Sequence, residues 1–195
     1  MSSISKSNEI ITIYQKNWGF AEANSDKPIL QTGSFGPCYA VIVMGGNYAA
    51  LAHIDDCTDI DSLKDVFDEF VNQGIGKKDL KVTIAGGWKE CDSSHQWGEK
   101  LARFVLNYGI TFANIERNHM YQKDTPLSVP VPLEIVPLYY FYGVQVDATN
   151  KTVSFFGTGN PDLEAQQNLQ TKKLRKQYTG SKLDTLSLPL TRIKG

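Results

Sequence analysis

Apolar residues in this chain fall in short runs separated by glycine-rich or polar turns, a pattern that predicts a protein of mixed α and β structure. The run 39–44 (YAVIVM) and the run 48–53 (YAALAH) flank Gly45, Gly46 and Asn47, so together they predict a β-hairpin. Five further runs also predict strands: 10–14, 80–85, 110–115, 138–147 and 151–156.

Two segments show the spacing of an amphipathic helix. In the first, Asp61 can cap the helix and Gly74 ends it, and its apolar face comprises Leu63, Val66, Phe67, Phe70 and Val71. The second covers 93–108, and its face comprises Trp97, Leu101, Phe104, Val105 and Tyr108. Strands and helices in this order predict an α+β fold with mixed or antiparallel β-sheet layers flanked by helices.

The composition divides the chain into two parts. Residues 1–159 carry the predicted elements and form one domain, and 124–137 within them contains four prolines and predicts an extended loop. Residues 160–195 hold seven basic and three acidic residues with few large apolar side chains, which predicts a basic tail, partly helical or disordered.

Charge and cysteine content restrict the partners and the compartment. A net charge of −1 gives no reason to expect binding to nucleic acid or to an acidic membrane surface. No apolar run approaches the length of a membrane span, and the N-terminus lacks the pattern of a signal peptide. Three cysteines do not form a disulfide framework. We therefore expect a cytoplasmic protein, with export by a specialised secretion system as the alternative.

Cys38 and His53 stand at the same end of the predicted hairpin. A thiol attacks well only as a thiolate, and a neighbouring imidazole can take its proton. The loop before Cys38 is rich in small residues, whose backbone N–H groups can hold a developing oxyanion. These features predict a cysteine nucleophile with a histidine base. The alternative is a small buried cysteine and a hydrogen-bonded histidine at a strand end.

The stretch TGSFGPC (32–38) followed by AALAH (49–53) resembles the chemoreceptor glutamine deamidases of the CheD family. It is more distantly similar to the protein N-terminal asparagine amidohydrolases and the cytotoxic necrotizing factor toxins. The likeness continues in LKVTIAGGW (80–88), GEKLARFVLNYGITF (98–112) and VQVDATNKTVSF (144–155). It implies a CheD-like deamidase fold for the domain.

The resemblance also implies a site and a reaction. Cys38 would attack a Gln or Asn carboxamide of a protein substrate, His53 would transfer the protons, and Thr32 would position His53. The oxyanion and substrate loop would include Gly33, Ser34 and Gly36. Such chemistry needs no cofactor and no metal. The segment 118–142, where the chain departs from CheD, and the basic tail are candidate surfaces for a protein partner.

Three other interpretations stay open at this stage. The fold could serve a non-catalytic binding module that uses the aromatic cluster 139–142 or the basic run 172–176. An amine acceptor in place of water would make the enzyme a transglutaminase. The spacings His53-x3-Cys57 and Cys91-x3-His95 offer ligand types that zinc accepts, although i and i+4 do not converge on a strand.

Overall fold

A computed structural model describes residues 9–33, 38–87, 92–117, 143–156 and 187–194. Within these ranges the chain forms two helices and ten strands, and the helices are α1 (Leu63–Asn72) and α2 (Asp92–Tyr108). The ten strands, in chain order, are β1 (Ile10–Thr12), β2 (Asn17–Glu22), β3 (Ile29–Gly33), β4 (Tyr39–Gly45), β5 (Tyr48–Ile54), β6 (Lys81–Gly86), β7 (Ile115–Glu116), β8 (Gly143–Asp147), β9 (Thr152–Phe156) and β10 (Thr191–Arg192). Short 3₁₀ turns cover Ile60–Ser62, Lys77–Asp79 and Phe112–Asn114.

The strands form two mixed sheets. The four-stranded sheet has the order β1-β3-β8-β9, and the six-stranded sheet has the order β10-β2-β5-β4-β6-β7. Most neighbours are antiparallel, whereas β1–β3, β10–β2 and β6–β7 pair in parallel. The described chain is therefore an α+β structure of two sheets and two helices, as the sequence predicts at this level.

The six-stranded sheet is buried on both faces, and β4 lies near its centre. Tyr39, Val41 and Val43 point to the core that the sheet shares with α1 and α2. Alternate positions, Cys38 and Ala40 among them, point to a second core between the two sheets. A strand covered on both sides reads as a continuous apolar run, which explains YAVIVM. The layers are thus four-stranded sheet, six-stranded sheet and helices.

The predicted hairpin and the first helix are confirmed, with shifted details. Strands β4 and β5 pair from Tyr39↔Ile54 to Gly45↔Tyr48. Helix α1 begins at Leu63, because the preceding 3₁₀ turn is capped by Asp59 rather than by Asp61. The predicted apolar face is buried except for Val71, which is 42% exposed.

Several strands differ from the prediction. Strands β2 and β3 were not expected, and Thr32 and Gly33 lie in β3 rather than in a connecting loop. The predicted strand 110–115 is instead a turn of 3₁₀ helix followed by the two-residue β7. Among the described residues, neither helix is both long and apolar enough to cross a membrane.

Part of the predicted tail belongs to the domain. Within 160–195, the described residues 187–194 contribute β10, which pairs with β2 through Thr191↔Asn17 and Arg192↔Trp18. Leu190 is buried and belongs to the core under the helices. The expectation of a helical or disordered tail is therefore wrong for this stretch, because long-range pairing with β2 fixes an extended backbone. The rest of the tail, 160–186 and Gly195, lies outside the described residues, as do 118–142 and 157–159.

Candidate active site

Strand register brings Cys38 and His53 to one face at one end of the β4–β5 pair. His53 lies directly opposite Ala40, and Cys38 precedes Ala40 by two residues. Side chains two residues apart on a strand share a face, and such diagonal neighbours across two strands typically lie about 7–8 Å apart. Cys38 and His53 are both buried, and this face is the one turned toward the four-stranded sheet.

Thr32 reaches the same place from the opposite sheet. It lies in β3 opposite Val144 of β8 and is fully buried. Its Oγ1 is 2.8 Å from Nδ1 of His53, a hydrogen-bond distance between the two sheets. This contact fixes the orientation of the imidazole, and it joins the predicted base to the predicted positioning residue.

Burial determines the protonation of His53. Removal from solvent lowers the pKa of the imidazole to about 4; nearby Asp55 opposes this shift and Lys16 adds to it. The ring is therefore neutral at physiological pH. A neutral imidazole can accept a proton, but a pKa of about 4 makes it a weak base toward a thiol, whose ordinary pKa is about 8.5.

The backbone of Cys38 is held by a pair of glycines at the end of β6. Gly87 N donates a hydrogen bond to Cys38 O over 3.0 Å. Gly86 has φ +112, and a Cβ at this position would lie 2.5 Å from that same carbonyl oxygen. Only glycine permits both this backbone conformation and this close approach. Gly86 and Gly87 therefore support the backbone that carries the thiol.

Helix α2 is anchored beside Cys38 through the next residue. The hydroxyl of Tyr39 donates to Ser94 O over 2.8 Å. Gly98 lies directly against Tyr39, so that a Cβ at this position would come within 2.4 Å of the tyrosine hydroxyl oxygen. The glycine of the GEK motif thus leaves the space that the buried tyrosine occupies.

The predicted oxyanion loop is described only at its first residue. Gly33 ends β3 and pairs with Gly143. Ser34 and Gly36 lie outside the described residues, so their assignment stays a prediction. Among the named candidates, the structure brings together Thr32, Cys38 and His53.

Cys57 has the environment of an unreactive thiol. Burial and the neighbouring Asp55 and Asp56 carboxylates raise its pKa to about 11. The ligand atoms of Asp55, Asp56 and Cys57 lie within 4.8 Å of one another. However, Asp55 already accepts hydrogen bonds from its protein neighbours, and Nδ1 of His53 faces Thr32. Nothing in this cluster therefore favours the zinc interpretation; Cys91 and the side chain of His95 lie outside the described residues.

Sequence reasoning missed a buried ion pair beside the histidine. Lys16 Nζ contacts Asp55 Oδ2, and Gln15 Nε2 donates to the same oxygen. Lysine is rarely buried, and no local pattern distinguishes Lys16 from an ordinary turn residue. The one signal available was the position of Asp55, two residues beyond the candidate base.

Comparison with known proteins does not assign this chain to a family. No protein-family model and no curated protein matches it. A crystal structure of the hypothetical protein YfiH from Bacillus licheniformis is similar over 51% of this chain and 49% of that one, with 13% identity and a TM-score of 0.41. The chain thus spans about half the length of that protein. The described structure is an α+β protein with mixed sheets and a Thr–His contact on the sheet face that also bears a cysteine.

Proposed function

We propose that this chain is a cysteine-dependent amidohydrolase that converts a Gln or Asn carboxamide of a protein substrate to the acid. The observation that carries the proposal is the contact between Thr32 Oγ1 and His53 Nδ1, on the sheet face that also bears Cys38. A nucleophile, a base and a group that orients the base form the arrangement used in covalent catalysis. The CheD resemblance supports the same three residues.

The proposed reaction proceeds in two balanced steps. First, Cys38 Sγ attacks the amide carbon while His53 Nε2 takes the thiol proton and passes it to the leaving nitrogen, so that a thioester forms and ammonia departs. Second, His53 takes a proton from water, the resulting hydroxide attacks the thioester, and Cys38 leaves as the thiol. The net change is amide plus water to acid plus ammonia.

The neutral state of His53 determines how the thiol is activated. With a pKa of about 4, the imidazole accepts the thiol proton during attack rather than holding it beforehand. We therefore expect the acid limb of the pH–rate profile near pH 4, well below the ordinary histidine value of 6.5. The pH dependence of substrate turnover by the parent chain measures this limb.

Alkylation by iodoacetamide, read at each cysteine by peptide mass spectrometry, tests the site in the full chain. We expect Cys38 to react faster than Cys57, whose raised pKa keeps it a protonated thiol and makes it an internal control. Thr32→Val removes the hydroxyl at nearly constant volume, and we expect the Cys38 rate to fall by up to about tenfold, the equivalent of one hydrogen bond.

Two matched variants complete this test. Thr32→Ser keeps the hydroxyl and should retain most of the parent rate, whereas His53→Asn should lower the rate at least as far as Thr32→Val. Equal rates at Cys38 in the parent, Thr32→Val and His53→Asn, all folded, would reject the catalytic assignment and leave the non-catalytic binding module.

The reaction class needs a separate measurement. The parent and Cys38→Ala are incubated with a panel of glutamine-containing and asparagine-containing proteins in heavy-oxygen water. An amidohydrolase places heavy oxygen in the new acid, in the parent only. A primary amine added to a second set of samples distinguishes the transglutaminase alternative, because the amine then appears in the product.

A further inference from the structure

Lys16 and Asp55 form a buried ion pair directly beyond His53. They are 5% and 3% exposed, respectively, and the Lys16 ammonium contacts Asp55 Oδ2. Gln15 Nε2 donates to the same oxygen. The other oxygen, Oδ1, accepts from the Cys57 amide at 3.0 Å and from the Thr58 hydroxyl at 2.9 Å. Both oxygens of the carboxylate are therefore bound in a fixed orientation.

The pair is also tied to the backbone of His53. Lys16 N donates to His53 O over 2.8 Å, and Lys16 O accepts from Thr191 N over 3.0 Å. Lys16 adopts φ +62, in the left-handed region that a lysine seldom occupies. The turn between β1 and β2 thus clamps the end of β5 at the residue that carries the imidazole.

Stability by itself gives little reason for such a pair. Removing two charges from water is costly, and well-packed apolar side chains of similar volume often stabilise a core equally well. The free-energy cost of burying the two charges has a functional reason where the charges act on a neighbouring reactive group. His53 is that neighbour, two residues before Asp55 and hydrogen-bonded through its carbonyl to Lys16.

We propose that the Lys16–Asp55 pair is a positioning and electrostatic element of the Cys38–His53 site, in which Lys16 holds the end of β5 and the two opposite charges balance the field on the His53 imidazole. This inference rests on the proposed function for its consequence in catalysis. The charge balance itself exists independently of any reaction.

The balance follows from the groups that surround the ring. Among the described residues, the charged groups that act on His53 are Asp55, just beyond its own strand, and Lys16, in the turn between β1 and β2. The Thr32 hydroxyl of β3 contacts the ring. Cys38, which directly precedes β4, lies on the same sheet face as the ring. Asp55 favours the imidazolium form, and Lys16 opposes it.

Two single substitutions should therefore act in opposite directions. Lys16→Met leaves the carboxylate unopposed and should raise the pKa of His53 by about one unit or more. Asp55→Asn leaves the ammonium unopposed, so His53 should stay neutral down to the lowest pH at which the protein remains folded. A merely structural role would disturb the site in the same direction in both variants.

The measurement is the titration of His53 in the full-length chain, followed by NMR of isotope-labelled histidine rings. Lys16→Arg keeps the positive charge and should leave the titration close to that of the parent. Lys64→Met removes a lysine from the exposed Lys64–Asp68 pair on α1 and should have no effect. Where Asp55→Asn fails to fold, the comparison of Lys16→Met with Lys16→Arg decides the question.

Shifts of the same sign in both single variants, or an unshifted His53 in folded Lys16→Met, would overturn the inference. Its failure is distinguishable from failure of the proposed function. Opposite shifts of the His53 pKa, combined with a Cys38 alkylation rate that is unchanged in His53→Asn, would support the role of the ion pair and reject the proposed enzyme. Unshifted titrations combined with a rate that depends on His53 would support the enzyme and reject the pair.

Discussion

The imidazole of His53 is a polar group placed in an apolar layer between two sheets. Thr32 satisfies one ring nitrogen, and the neighbouring Asp55 and Lys16 act on the pKa of the ring in opposite directions. Burial is then the dominant influence, and it favours the neutral ring. A base kept neutral at physiological pH is available for proton transfer. Burying the ring disfavours its protonated form, and this cost appears in the stability of the folded chain at low pH.

That cost predicts a pH dependence of unfolding. Burial lowers the pKa of His53 from 6.5 in the unfolded chain to about 4 in the folded one. Between these values the unfolded chain binds the proton more readily than the folded chain. The contribution of neutral His53 to the free energy of unfolding is therefore complete above pH 6.5 and is lost as the pH falls toward 4. We expect the free energy of unfolding to decrease by about 2 kcal/mol from pH 7 to pH 5 through this group.

Urea unfolding at the two pH values measures this effect, with His53→Asn as the control. Asparagine keeps a hydrogen-bonding group near the position of Nδ1 but does not titrate. The dependence should flatten in that variant. If the full decrease persists in His53→Asn, the protonation belongs to another group.

At the scale of elements, β4 depends on its neighbours for the position of its first residues. Gly87, directly after β6, donates a hydrogen bond to the Cys38 carbonyl, and Tyr39 holds the start of α2. The end of β6 and the start of α2 thus support the backbone that carries the thiol. Their glycines are places where another backbone or a ring approaches closely.

Two glycine substitutions distinguish the effect of backbone conformation from the effect of close contact with a neighbouring backbone. Gly86 and Gly74 both have positive φ, +112 and +81, but a Cβ at Gly74 meets nothing within 4 Å. Gly74→Ala should cost about 1–2 kcal/mol from backbone strain alone. Gly86→Ala should cost more, because Cys38 must also shift, and it alone should lower the rate of Cys38 alkylation.

Urea unfolding and alkylation below the unfolding transition provide both readouts for this pair. Equal stability losses with an unchanged Cys38 rate in Gly86→Ala would show that the β6 glycines do not support the site.

At the scale of the whole molecule, the site exists only where the two sheets pack together. Thr32 comes from the four-stranded sheet, whereas Cys38 and His53 come from the six-stranded sheet. The core between the sheets, rather than the core under the helices, therefore sets the distance between Thr32 and His53. Loss of packing in the two cores should have different consequences for the site.

Matched leucine substitutions test this division. Leu30 lies in the core between the sheets, Leu63 lies in the core under α1, and both are fully buried. Each change to alanine should destabilise the protein by about 2–5 kcal/mol through the cavity it leaves. Leu30→Ala should in addition slow Cys38 alkylation, because the Thr32 strand gains freedom to move away from His53.

The comparison is made on native protein, with the unfolded fraction of each variant subtracted. A larger effect on Cys38 from Leu63→Ala than from Leu30→Ala would contradict the role given to the inter-sheet core.

Local patterns in the sequence determined the hairpin β4–β5, helix α1 and the placement of Cys38 and His53 at one end of the hairpin. These features depend on period, turn residues and neighbours close in the chain, which a sequence displays directly. The resemblance to CheD added Thr32, whose contact with His53 the strand pattern could not show. Its implied fold is supported only as far as an α+β structure with mixed sheets.

Tertiary structure alone decided the remaining features of the site. Thr32 meets His53 because β3 belongs to the opposite sheet, and Lys16 meets Asp55 because a left-handed turn brings it to the end of β5. Strand β10 enters the domain by pairing with β2 from far along the chain. Such contacts depend on which strands become neighbours. That choice follows from burial of the whole core, and no local stretch of sequence carries it.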